Sequence, residues 1–592
     1  MHRKLTPFLI TLAAAGCTLQ TPEAPSPIGA DRGVGQQTNA SSADASPGQA
    51  TRKTLSTIPA PVRTAGDIGS TGVTGPATEL ERARVAQAAS ARAMPQPPRM
   101  PMPVPVPIAP SPESRERYHP IDSNPVQLVR EAPISTFAID VDTGSYSNVR
   151  RMLLAGRLPP KDAVRVEEMI NYFPYAYAAP RDEHPFAVHT QVVDNPWRAG
   201  SRLLRIGIKG EDRSREMLPP ANLVFLVDVS GSMNSADKLP LLKSSLKLLA
   251  ERLRPQDRIS LVTYASGTQL VLPPTTGTEK ASIVNAIDAL RAGGSTAGAS
   301  GIELAYRTAQ QAFIPGGINR ILLATDGDFN VGVTDFRQLE SIVEERRKSG
   351  IALSTLGFGT GNYNEQLMER LADVGNGAYA YIDSLMEGHK VLVDEASSTL
   401  EAIAQDVKIQ VEFNPSFVSE YRLIGYENRL LAREDFNNDR VDAGDIGAGH
   451  SATAIYEITP VGAPARVDPL RYGASGSGQT ERAAGEIAYV KLRYKKPESR
   501  DSILIEHPVH DRLAKDIDTV DADTRFAVAV AGFAQLLRGG QYTGSWDWNA
   551  VRAMAQGARG DDPFGYRGEF LRLVDLAASL GTRDPQAAAP VE

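Results

Sequence analysis

From residue 221 to 403 the chain alternates short apolar runs with longer amphipathic stretches, and no other feature restricts its fold as tightly. Strands are expected near 222–228, 258–265, 268–272, 319–325, 351–358 and 378–382. Helices are expected near 237–253, 280–290, 299–313, 335–348, 363–373 and 384–403. The apolar centre of a run such as RILLATD has no polar face, so the sheet it joins must be covered on both sides. Helices between successive strands make that sheet mainly parallel. The expected class is α/β, a doubly wound and mainly parallel sheet, which binds ligands beyond the carboxyl ends of its strands. Asp228 and Asp326 both stand at such ends.

The first of these ends reads NLVFLVDVSGSMNS, which clusters Asp228, Ser230 and Ser232 in the spacing D-x-S-x-S. Gly231 permits a tight turn between them. Asp and Ser are also what ordinary turns prefer, so the string alone does not decide between a loop and a ligand site. Two further stretches add to it: RAGGSTAGAS puts Thr296 in a glycine-rich loop, and LLATDGDFN puts Asp326 at another strand tip. Together these residues resemble the metal-ion-dependent adhesion site of von Willebrand factor type A domains, over about residues 220–395. The resemblance implies a Mg²⁺ or Mn²⁺ ion held by Ser230, Ser232 and Thr296, directly or through water. Asp228 and Asp326 would mainly hold coordinated waters. Neutral hydroxyls leave such a cation electron-poor, so its vacant position suits an Asp or Glu of a partner protein.

The chain starts MHRKLTPFLITLAAAGCTLQ: a basic opening, an apolar run and then Gly16-Cys17. This is the pattern of a secretory signal too short to be a permanent membrane helix. It resembles the lipobox of bacterial lipoproteins, although Ala14 stands where that family usually has Leu. The resemblance implies cleavage after residue 16, lipidation of Cys17 and, with Thr18 following, an outer-membrane address. Cys17 is the single cysteine, so no intramolecular disulfide can form. Residues 17–118 lack hydrophobic periodicity and are crowded with Pro, Ala and Ser, a composition that cannot offset its own ordering entropy. They are expected to be a disordered tether, and as a coil they would reach about 55 Å.

On either side of the α/β region (220–403) lie an α+β flank (119–219), a β-sandwich region (404–515) and a helical tail (516–585). STFAIDVDTGSY, LPPKDAVRVEEMINYF, VKIQVEFNP, IGYEN and DAGDIGAGH in these flanks resemble a bacterial family of exported von Willebrand A proteins, over about residues 120–585. DVDTGSYS repeats the theme of acids and hydroxyls, but is expected to act as a helix N-cap. Asp435, Asn437 and Asp439 have calcium-loop spacing, yet Arg440 and Ile446 replace the glycine and glutamate that such a loop needs, so a polar hairpin is expected.

A net charge of −7 gives nucleic acid no electrostatic purchase. No G-x-S-x-G elbow, H-E-x-x-H or P-loop is present, and the chain reads as a binding protein with no catalytic residues. The expectation is a metal-dependent adhesion or scaffold module, lipid-anchored in the bacterial cell envelope, that captures an acidic side chain of an unidentified protein. The alternative is a structural component of an envelope assembly with a purely stabilising metal.

Overall fold

The strand Ala221–Asp228 is buried at every position, and its alternate side chains face two different cores. Leu223, Phe225 and Val227 face one core, together with Leu242 and Leu246 of the helix Leu239–Arg252. Val224 and Leu226 face the other, with Ile302 and Ala305 of the helix Gly298–Gln311 and Val343 of the helix Phe336–Arg347. The computed structural model describes residues 116–139, 142–294, 298–327, 336–395, 401–441, 443–468, 485–497, 499, 501–511 and 514–581.

In order across the sheet, the strands are Tyr379–Ile382, Ala352–Phe358, Ile318–Thr325, Ala221–Asp228, Arg258–Tyr264 and Thr268–Thr276. Every pairing is parallel except the last. This is the doubly wound, mainly parallel sheet expected. Two details differ. The edge strand runs on to Thr276 through Pro273 and Pro274, which an edge tolerates because proline need not donate to a neighbour there. The helix expected over 384–403 is short: Leu385–His389 widens into a π turn, Lys390–Asp394, and a strand has begun by Ala402. The wide turn accompanies a buried Lys390, whose ammonium lies 2.7 Å from Glu395 and over the ring of Tyr172.

The strands before and after this α/β layer do not form separate regions. One sheet is ordered Gln127–Leu128, Val418–Ile424, Ser451–Pro460, Arg202–Gly210, Phe186–Asp194 and Ala514–Lys515. The other joins Gly444–Gly447, Ala402–Phe413, Glu486–Lys495 and Ser502–His510, with Ile134–Ala138 also paired to the long strand. Asp406, at a φ of +53°, sits at the irregularity that lets one edge of the long strand serve both partners. The flank expected at 119–219 and the sandwich expected at 404–515 are thus a single sandwich. Phe137, Leu204, Ile206, Val411, Phe413 and Tyr456 share its core.

A helical layer covers the outer face of the first sheet. It combines Gly144–Leu154 and Val166–Asn171 with the three C-terminal helices Ala522–Leu537, Trp548–Gly557 and Tyr566–Gly581. The segment read as an N-cap does something else. Thr143, at the N-cap of the helix Gly144–Leu154, makes no side-chain cap. Asp142 Oδ1 instead accepts the Tyr379 N–H at 2.8 Å, and Ser147 Oγ donates to the Tyr381 carbonyl at 2.7 Å. The helix start is therefore docked on the last strand of the α/β sheet. The approach is so close that a Cβ at Gly144 would stand 2.3 Å from the Tyr379 ring. Among the described residues, no helix is long and apolar enough to cross a membrane.

Candidate metal centre at the strand tips

Asp228 ends the central strand with no exposed surface. Its Oδ1 accepts the Ser230 N–H at 2.8 Å, which closes the turn of the D-x-S-x-S loop. Its Oδ2 accepts the hydroxyls of Thr325 at 2.9 Å and Tyr264 at 3.3 Å, one from each neighbouring strand. Burial pushes the Asp228 carboxyl up, the hydrogen bonds from Ser230 and Thr325 oppose this, and nearby Asp326 adds to the rise. An anion held in this way favours a cation beside it.

The turn Gly231–Asn234 carries Ser232 to the surface while Ser230 stays buried. Their hydroxyl oxygens are 3.0 Å apart. A backbone bond from Gly231 N–H to the Gly294 carbonyl, 3.1 Å, and another from Gly293 N–H to the Val229 carbonyl, 2.7 Å, tie the glycine-rich loop to this turn. Gly294 has a φ of +88°, and a Cβ there would meet Ser266 Oγ at 2.4 Å, so the position requires glycine. Thr296, the ligand expected from that loop, lies outside the described residues, as does Cys17.

Asp326 follows the adjacent strand and is wholly buried. The ammonium of Lys238 stands 2.9 Å from its Oδ2 and also donates to Asn362 Oδ1 at 3.1 Å. Asp228, Ser230, Ser232 and Asp326 thus meet at one edge of the sheet. Sequence reasoning missed Lys238 and Thr325. A signal for the lysine was present: it holds the N-cap position of the helix Leu239–Arg252, where the helix dipole disfavours a cation.

The donor set fits a hard divalent ion. It consists of oxygen alone, with two neutral hydroxyls in front and carboxylates held behind by other donors. The exposure of Ser232 leaves one side open to solvent. The calcium-loop residues make no comparable set: Asp439 lies 2.9 Å from Arg493 and 3.2 Å from Lys495, and the arginine holds its carboxyl down at about 2.

Three family models match the chain. One for von Willebrand factor covers residues 112–205, one for the von Willebrand factor type A domain covers 222–395, and one for the C-terminal part of the uncharacterized protein YfbK covers 398–580. YfbK of Escherichia coli K12 is 50% identical over 468 residues, covering 78% of this chain and 81% of that protein. The uncharacterized protein sll0103 of Synechocystis is 30% identical over 200 residues, 33% of this chain and 46% of that one. The magnesium-chelatase 60 kDa subunit of Rhodobacter capsulatus is 31% identical over 148 residues, 25% of this chain and 26% of that one. Among solved structures, a von Willebrand factor type A protein from Catenulispora acidiphila covers 68% of this chain and 99% of its own, at 15% identity and a TM-score of 0.37.

Proposed function

The chain belongs to the bacterial von Willebrand factor type A family that includes YfbK, and from that membership we propose that it is a metal-dependent protein-binding module displayed on the cell envelope. The observation that carries the reading is the Ser230–Ser232 hydroxyl pair, 3.0 Å apart, backed by a buried Asp228 and open to solvent on the side of Ser232. A Mg²⁺ or Mn²⁺ ion bound there supplies a Lewis-acidic position for a hard anionic oxygen. Ser230 and Ser232 would hold it, Asp228 and Asp326 would balance its charge, and Thr296 would complete the set. The partner contributes an Asp or Glu side chain. Lipidation of Cys17 after removal of residues 1–16 would anchor the chain, with Thr18 after the cysteine directing it to the outer membrane, and residues 17–118 would act as the tether.

The test is Mg²⁺ titration of the full chain by isothermal calorimetry, joined to capture of envelope proteins on the immobilised chain with Mg²⁺ or with EDTA. Mg²⁺ binding that Asp228→Asn and Ser232→Ala abolish, with capture lost in EDTA and in both variants, supports adhesion. Capture that is the same with and without the metal overturns it. Metal uptake that raises the melting temperature but leaves capture unchanged favours the structural reading instead.

A further inference from the structure

A second set of carboxylates lies where the helix Glu365–Val374 of the α/β layer packs on the flank. Asp142, Glu168 and Glu369 each place a carboxylate oxygen so that all three lie within 4.8 Å of one another, and all three residues are buried. Each is held by donors, and the Arg165 and Arg429 guanidinium groups each bridge two of the three. Asp142 accepts the Tyr379 N–H and, at 3.2 Å, the Arg429 guanidinium. Glu168 accepts the Ser145 N–H at 2.8 Å. Glu369 accepts Arg165 at 2.6 Å and Asn428 at 2.7 Å. A carboxylate offers about four lone-pair sites, so these bonds aim the groups without exhausting them, as the outer partners of metal ligands do.

The independent pointer is Glu365. It is fully buried, and no hydrogen-bond donor reaches either of its oxygens. It stands one helical turn from Glu369 on the same face. Its electrostatic neighbours are Arg165, Glu168, Glu369 and Glu167. Buried carboxylates without partners are rare in native proteins. Two guanidinium groups, Arg165 and Arg429, face the acids Asp142, Glu167, Glu168, Glu365, Glu369 and Asp373, so acidic groups outnumber cations at this seam.

We propose that the seam binds one calcium ion through Asp142, Glu168 and Glu369, with the buried carboxylate of Glu365 beside them balancing its charge, clasping the flank to the α/β layer. Carboxylate oxygens in an irregular arrangement suit calcium, which takes six to eight oxygens flexibly. Magnesium, which keeps several waters in near-octahedral order, suits the strand-tip hydroxyls better.

Calcium is titrated calorimetrically into the full chain carrying Asp228→Asn, which disables the strand-tip centre, and into the same chain with Glu365→Gln or Glu168→Gln added. One calcium per chain is expected in the first, with a rise in melting temperature. Either glutamine is expected to weaken binding by about 10- to 100-fold. No calcium uptake by the Asp228→Asn chain, or uptake that both glutamine variants retain, overturns the proposal. A Glu365→Gln chain that melts as its parent does in EDTA, yet no longer responds to calcium, supports it, because the loss then belongs to the ion and not to the fold.

Discussion

Lys238 holds Asp326: its ammonium stands 2.9 Å from Oδ2, at the tip of the sheet, with both side chains buried. The chain thus carries its own monovalent cation beside the carboxylate that a divalent ion would need. In Lys238→Met that carboxylate loses its counter-charge, and the metal-free chain should lose about 3 kcal/mol of stability in urea titrations with EDTA. Repulsion between two cations is removed as well, so Mg²⁺ should bind about tenfold more tightly by calorimetry. Weaker binding in Lys238→Met would show that the lysine builds the site and does not compete for it.

Ser232 and Gly294 separate ligation from loop shape. Ser232 is exposed, so Ser232→Ala should leave stability in EDTA within about 0.5 kcal/mol of the parent while Mg²⁺ affinity falls. Gly294→Ala adds a Cβ that meets Ser266 at a backbone angle disfavoured for alanine. It should cost about 1–3 kcal/mol and weaken Mg²⁺ as well. Parallel melting curves and calorimetry on the two variants check both expectations.

The α/β layer was legible because its signals are local. Strand length, helical period and the D-x-S-x-S turn each lie within a few residues of one another. The sandwich was half legible. Val411 and Ile206 read plainly as strand residues, but nothing near either says that both enter one core from opposite sides of a long insertion. Asp142 was misread for the same reason. An acid ahead of a helix matches a capping pattern, whereas its acceptor role towards Tyr379 spans 237 positions. Glu365 gave no sequence signal, since a glutamate in the first turn of a helix is ordinary.

Arg150 tests whether the layers unfold together. One guanidinium bonds Asp383, Glu387 at 2.7 Å, Glu569 at 3.0 Å and the Tyr172 hydroxyl at 2.9 Å, joining the flank, the α/β layer and the last helix. Arg150→Ala strands buried acids and should cost about 3–5 kcal/mol. Arg150→Lys should recover little, because an ammonium cannot span that fork of acceptors. All three tryptophans, Trp197, Trp546 and Trp548, lie outside the α/β layer. Tryptophan fluorescence and far-ultraviolet circular dichroism should therefore give coincident transitions in the parent and separate ones in Arg150→Ala.

Glu457 makes the docking of the helical layer sensitive to acid. It is buried, 3.1 Å from Arg422 and 3.0 Å from Arg466, and Arg422 also bonds Gln535 of the covering helix at 2.8 Å. Burial pushes the Glu457 carboxyl up, but Arg422 and Arg466 outweigh it and hold the group below 4.5. A carboxylate whose folded value is depressed adds stability above its unfolded value and loses it as pH falls through the folded one. The parent should therefore weaken as pH drops below 4.5, with the helices loosening from the sheet. Glu457→Gln leaves Arg422 buried without its charge partner and should cost about 3–5 kcal/mol at neutral pH. The gap between variant and parent should narrow through the acid range as the parent's carboxylate takes up its proton. Urea titrations at stepped pH measure that gap, and a gap that stays constant would place the acid sensitivity elsewhere.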